Sequence, residues 1–379
     1  MTVCFILLPA VFSVCLADDS WTLKVPMTEG RSGLGVVALN GNIYAIGGAT
    51  SNGFCSFNEE YNTTTGTWTS KASMPTARSD FAVASFQNKI YCIGGYALSN
   101  NQGLAVNVNE VYDPRTDSWS TKAPMLTPEL NVRANVIDGK IYVIGGNNNG
   151  TLNQVYDPST DSWTIKASIP TAVSSYASAV AEGKIYIFTT NLTQIYNPVN
   201  NGWSYGTPAP LPIILANAGF TSGVYAPERI YVFGVNAQLP YWQLTTKGFI
   251  TQGYNPQSDS WQICSPMQIG RYDVGVASVN DLLFLVGGFT TQSRSGLDLN
   301  PIYTYSTVNE QYTPLGYSAT PLPVTVSVPK NTGFNSEQLK SGSLINPYEI
   351  AYVSVITAVI AIGVCLFLYK RNQNQVKKV

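Results

Sequence analysis

The chain has 379 residues, 21 Lys and Arg against 22 Asp and Glu, a formal net charge of −1, and no histidine. That balance excludes a nucleic-acid reader, which needs a basic face. The missing imidazole excludes His-ligated copper, zinc or iron centres and Ser-His-Asp or Cys-His nucleophilic machinery.

Residues 1–17 are almost wholly apolar and lack Lys and Arg, and Cys15-Leu16-Ala17 precedes Asp18. We expect a signal peptide. Residues 21–26 follow, a strand-like piece opened by Trp21 with no strands of its own before it. Then a hexapeptide recurs. Ile-Tyr-x-Ile-Gly-Gly begins at Ile43, Ile90 and Ile141, with weaker copies at Ile185, Ile230 and before Gly287-Gly288, spaced 44 to 53 residues apart. Such a period means one small sheet per repeat, with neighbours stacked into a ring or array.

The third repeat shows the plan. Residues 132–137 alternate loosely, Gly139-Lys140 turns, and 141–144 form a β-branched and aromatic run ended by Gly145-Gly146. Residues 154–156 are a third short strand, 157–161 carry turn chemistry, and Trp163 opens a fourth strand. Four short antiparallel strands in about 45 residues is the pattern of a propeller blade. No helical periodicity interrupts residues 20–312. The fold class expected is all-β, a six-bladed propeller over residues 18–317. The fourth strand at Trp21 should complete the sixth blade, whose third strand at 308–312 has no Trp after it. Such closure removes exposed sheet edges.

Three connections between second and third strands are long: 96–106, 236–251 and 289–302. The middle one holds Tyr241 and Trp242, the only Trp outside the repeat series, and exposed aromatics on loops are frequent partner anchors. Residues 318–349, rich in Pro, Ser, Thr and Asn, read as an extended stalk. Residues 350–369 carry no charge, which matches a membrane-spanning helix, and 370–379 form a basic tail with Lys370, Arg371, Lys377 and Lys378. The basic flank places the tail in the cytoplasm and the propeller outside. The part before the tail has 17 bases against 22 acids, net −5.

These residues resemble kelch repeats. The resemblance rests on the doublets Gly47-Gly48, Gly94-Gly95, Gly145-Gly146 and Gly287-Gly288, a Tyr series (Tyr61, Tyr112, Tyr156, Tyr196, Tyr254, Tyr312), and a Trp series (Trp21, Trp68, Trp119, Trp163, Trp203, Trp261). Repeats four and five depart from it: Thr189-Thr190 replaces one doublet, and Gly234-Val235 half-keeps another. The rings and glycines are expected to be structural, filling the wedge between blades. Some extracellular kelch propellers are copper radical oxidases, and the absence of His excludes that chemistry here. No cofactor and no metal are expected.

Aligning the loops that lead into each first strand gives Arg31, Arg78, Glu129, Val173, an apolar 212–215 stretch and Arg271. Three Arg fall on consecutive blades, facing Glu129 across the ring; two readings stand, a structural tie of each Arg to a carboxylate or carbonyl of the next blade, or joint binding of an anionic ligand at the funnel mouth. Cys92 is expected as a buried free thiol, with Cys55 and Cys264 outside any disulfide framework. Asn62, Asn149 and Asn191 head glycosylation sequons. The expected function is a surface binding module for a glycan or protein partner. The alternative is a carbohydrate-active enzyme of the epimerase or mutarotase kind, as in a secreted kelch family acting on sialic acid, using carboxylate and Arg chemistry in the funnel.

Overall fold

Apolar residues recurring two apart on runs of about five residues, punctuated by Asp, Asn and Gly, fold here into strands joined by tight turns. The computed structural model describes residues 19–99, 102–236, 248–292 and 302–322. No α-helix occurs among them, and none is long and apolar enough to cross a membrane. The expected signal peptide, the span at 350–369, the tail, most of the stalk, and Tyr241 with Trp242 lie outside the described residues.

The strands form six four-stranded antiparallel sheets. Sheet one is built from Gly35–Leu39, Asn42–Ile46, Asn58–Asn62 and Thr67–Lys71, in that order. The innermost strands of sheets two to six are Ala82–Phe86, Arg133–Ile137, Ala177–Ala181, Ile213–Thr221 and Gly275–Val279. Each lies against the innermost strands of two neighbours, and the sequence returns from sheet six to sheet one. They surround a central channel. In sheet six, Ser20–Lys24 pairs with Asn309–Thr313, Trp21 opposite Tyr312, so the first strand of the described chain is the outer strand of the last sheet.

Repetition of Tyr and Trp has a hydrogen-bond reason as well as an apolar one. Each Trp donates its indole N–H to a carbonyl just past the outer strand of the preceding sheet. Trp119 bonds Ala72 (2.7 Å), Trp163 Ala123 (2.8 Å), Trp203 Ala167 (3.0 Å) and Trp261 Thr207 (2.8 Å). Trp68 bonds Val25 (2.8 Å) and Trp21 bonds Ser265 (2.9 Å), which closes the cycle. Beside them, Asp117, Asp161, Asn201 and Asp259 sit at positive φ in the outer turns. Each accepts from the Tyr hydroxyl of its own sheet and from a backbone N–H of the preceding one.

The Gly doublets staple the other end. Gly47 and Gly48 have φ of 57° and 104°, and a Cβ on Gly47 would lie 2.8 Å from the Arg78 carbonyl oxygen. Close approach lets the Gly48 N–H donate to that oxygen at 2.9 Å. Gly288 does the same to Arg31 at 2.7 Å. In sheet four, which lacks the doublet, the Thr190 hydroxyl donates to Ile213 instead (3.2 Å). Sheet five is the irregular one. Its first strand bulges between Ile214 and Asn217, with Leu215 at φ 50°.

Cys55, Cys92 and Cys264 are buried and free. Residues 318–322, expected at the start of the stalk, lie against sheet five. Ser318 N donates to Tyr225 O and Leu322 N to Val224 O, and the Tyr317 and Tyr225 rings stack.

Candidate functional site

In each sheet the first and third strands start at one end of the channel, so the lead-in loops and the second-to-third connections share one face. We call it the lead-in face and its opposite the turn face. Arg31, Arg78 and Arg271 lie at the lead-in face, yet none is more than 1% exposed. Each guanidinium turns back into its own sheet. Arg31 meets Glu59 Oε2 at 2.5 Å and the Gly47 carbonyl at 3.0 Å. Arg78 pairs with Glu110 and reaches the carbonyls of Gly94 and Cys92 (both 2.9 Å). Arg271 meets Glu310 Oε2 at 2.7 Å and the Gly287 carbonyl at 2.8 Å. A buried cation needs such partners. The expected anion-binding arc is therefore corrected: all three Arg are internal ties with no face left for a ligand. Glu129 is likewise buried, accepting from the backbone N–H of Asn148 (2.9 Å) and Asn149 (2.7 Å).

The residues that sequence reading missed stand two before each strand-three Tyr. They are Glu59, Glu110 and Glu310 where the lead-in loop has Arg, and Gln154, Gln194 and Gln252 where it does not. The Gln amides bridge the N–H and C=O of Thr127, Thr171 and Leu211 at 2.9–3.1 Å. The charge of one position follows the other, and that signal was present in the repeats.

Two residues beyond the Arg station the loops turn toward the channel. Gly33, Asp80, Asn131 and Asp273 occupy this second station, all at φ between 52° and 59°. Neighbouring loops are joined there: Asp80 N donates to Gly33 O (2.8 Å) and Asn131 N to Asp80 O (2.9 Å). Asp80, Asp273 and Arg133 then border one cavity of about 110 Å³ at the channel mouth, with Ser178 and Asn217 on its wall. Burial pushes the Asp273 carboxyl up to about 6, and the Asp80 carboxylate adds to the rise. Arg133 and the Gly33 N–H oppose it. Burial also raises Asp80, against the Ser79 hydroxyl and Arg133. The channel continues below as a space of about 380 Å³ walled by the innermost strands.

Hairpins rise around this mouth on sheets one, two and six: Ala49–Thr50 with Gly53–Phe54, Tyr96–Ser99 with Gln102–Ala105, and Phe289–Gln292 with Ile302–Tyr305. Phe54 meets Tyr96 edge to face at 5.3 Å, which joins the first two. Leu98 (60% exposed), Leu104 (41%) and Tyr303 (55%) face solvent. Residues 49–57 and 96–106 contain no charged side chain. The matching connections of sheets three and four, 145–152 and 189–192, are short. Among the described residues, the mouth is thus walled at sheets one, two and six and low at sheets three and four.

Of the sequon residues, Asn149 and Asn191 are exposed. Asn62 is half-buried, its Oδ1 accepting from Thr64 and Thr65 N–H. Among the described residues, no group of three acidic or Cys side chains is placed to hold a metal ion.

This propeller-like, all-β architecture has a solved counterpart. The structure of YjhT aligns with a TM-score of 0.59 at 16% identity, covering 75% of this chain and 99% of its own. The KLHDC2/KLHL20/DRC7 Kelch-repeats domain family matches residues 10–190. Kelch-like protein 26 of Danio rerio is 24% identical over 214 residues, 54% of this chain and 34% of that protein. Kelch-like protein terF of Aspergillus terreus is 32% identical over 104 residues, 26% of this chain and 21% of that protein. The chain spans about a third or less of these curated relatives. It belongs to the kelch-repeat family.

Proposed function

We propose that the protein is a single-pass cell-surface interaction module. In this reading the six sheets are the blades of one closed propeller over residues 18–317, residues 1–17 direct export, 350–369 span the membrane, and the lead-in face takes a protein or glycan partner. The observation that carries it is the uncharged 96–106 hairpin with exposed Leu98 and Leu104, beside the exposed Tyr303 of sheet six, at the channel mouth. Kelch-repeat proteins generally serve as protein-interaction modules, which supports the class. The exit of the chain supports the orientation. Asn309–Thr313 ends at the turn face, and residues 314–322 continue there, against the 222–226 turn of sheet five. The lead-in face is thus directed away from where the chain leaves.

A soluble 18–322 fragment, screened against immobilised glycans and candidate surface proteins, is expected to retain a partner that Leu98→Asp with Leu104→Asp releases at unchanged melting temperature. Retention indifferent to both changes overturns the assignment of the wall. The enzyme alternative draws on the raised carboxyl groups of Asp80 and Asp273. The same screen separates the two, because an enzyme returns a sugar with altered configuration and a binder returns it unchanged.

A further inference from the structure

Fully buried charges elsewhere in this molecule are held by an ion pair or, for Glu129 and Asp281, by backbone N–H groups. Every fully buried Arg has its Glu. The channel mouth is different, with three half-buried charges. Among the described residues, no ion pair within 4.0 Å involves Asp80, Asp273 or Arg133, although all three border one cavity. Nor does the backbone require the acids. Gly33 and Asn131 fill the same left-handed station in adjacent loops, so the station does not by itself demand a carboxyl group.

Further polar atoms are left over at the same place. Arg133 Nε and Ser178 Oγ have no hydrogen-bond partner. Asn135, only 3% exposed, lines the channel just below, and its Nδ2 is also unpartnered. A buried polar group without a partner is costly unless a ligand or water satisfies it. The mouth therefore offers two carboxylates, one guanidinium and spare donors, with one negative charge in excess.

We propose that the channel mouth is a receptor site for a protonated primary amine, held between the carboxylates of Asp80 and Asp273. One ammonium neutralises the excess charge and donates to both acids. Arg133 limits the charge to what one ammonium satisfies. Hydroxyl groups beside the amine, as in an amino alcohol or amino sugar, would use Ser178 and Asn135. A lysine side chain of a polypeptide brings the ammonium alone. The other walls of the mouth, Gly33 to Val36, Ser178 with Asn217 and Ala218, and Val274 with Val276, bring no titratable group. The pH response thus belongs to the two acids, against the fixed charge of Arg133. Since both carboxyl groups are raised when the mouth is empty, amine binding releases protons and tightens as pH rises through about 6.

The test is titration of the full chain with ethanolamine, Nα-acetyl-lysine amide and the neutral control N-acetylethanolamine, followed calorimetrically. At least one amine should bind, with the neutral control about tenfold weaker or worse. Affinity should rise between about pH 5 and about pH 7.5, where both amines stay protonated. Tighter ethanolamine indicates a small hydroxylated amine, and tighter lysine amide indicates a polypeptide lysine. Asp80→Asn with Asp273→Asn should weaken binding by about tenfold or more, since Asn keeps the left-handed turn. Arg133→Gln should act oppositely and tighten amine binding severalfold, an outcome that a merely structural role for the cluster does not produce. No amine binding at about 10 mM, equal binding of the neutral control, or weaker binding in Arg133→Gln overturns the proposal. Its failure leaves the hairpin-wall reading untouched, because that reading is tested by Leu98 and Leu104.

Discussion

Trp21 donates its indole N–H to the carbonyl of Ser265, 244 residues away, at 2.9 Å. Five other Trp make the same bond to the sheet before their own, so this contact is the sixth member of a cycle and the one that joins the two ends of the ring. Asp19 adds a second tie, accepting from the Ser265 N–H at 2.6 Å. Trp21→Ala should therefore cost roughly 3–5 kcal/mol, as much as Trp163→Ala within an uninterrupted sheet. Denaturant midpoints check this. An unchanged midpoint for Trp21→Ala beside a lowered one for Trp163→Ala would detach the N-terminal strand from the ring.

The Arg271–Glu310 pair is buried on both sides. Removing one partner strands the other, so Arg271→Val or Glu310→Gln alone should lose about 3–5 kcal/mol. Sheet four shows an uncharged solution at the same two stations, Val173 and Gln194. Arg271→Val with Glu310→Gln copies it and should recover a large part of the loss. A double-mutant cycle with no coupling would contradict the pairing.

How much of this was legible in the sequence differs by residue. The Trp and Tyr series could be read directly, because their bonds join stations at fixed offsets in every repeat. The Arg stations were also found, and of their two readings the structural tie holds, made within each Arg's own sheet rather than to the next. Arg31 and Glu59 lie 28 residues apart, Arg78 and Glu110 32, and Arg271 and Glu310 39. The hairpin insertions vary that spacing, so an alignment of lead-in loops alone hides the partner. Asp80 and Asp273 went unmarked because their meaning is cyclic. Asp273 borders one cavity with Asp80 and Arg133 only once sheet six lies beside sheet one and the loops converge on the channel.

Asp273 makes the fold pH-sensitive. Its carboxyl is raised in the folded state to about 6, so the ionised form is disfavoured by folding. The stability from this group is present below the unfolded carboxyl range and is lost as pH rises through about 6. Asp273→Asn should thus stabilise the protein near neutral pH by on the order of 1 kcal/mol, discounted for the open side of the channel. At about pH 4 it should change little. Melting temperatures at both pH values decide this, and an equal shift at both would contradict the assigned cause.

The three buried thiols should be inert. Burial pushes Cys92 up to about 12 and raises Cys55 and Cys264 as well. Thiolate is the reactive form, so Cys55, Cys92 and Cys264 should resist alkylation in native protein and accept it in denatured protein. A dithiol reductant should leave the melting temperature unaltered, since Cys55, Cys92 and Cys264 form no disulfide.

Those inert thiols make the central claim directly measurable. A cysteine placed at Leu98, on the exposed hairpin, and another placed separately at Asn374, in the basic tail, can each be challenged on intact cells with a membrane-impermeant maleimide. An outward-facing module anchored at 350–369 predicts rapid labelling of Leu98→Cys in intact cells and labelling of Asn374→Cys only after permeabilisation. Protection of Leu98→Cys until the membrane is opened, or labelling of Asn374→Cys from outside, would contradict the account.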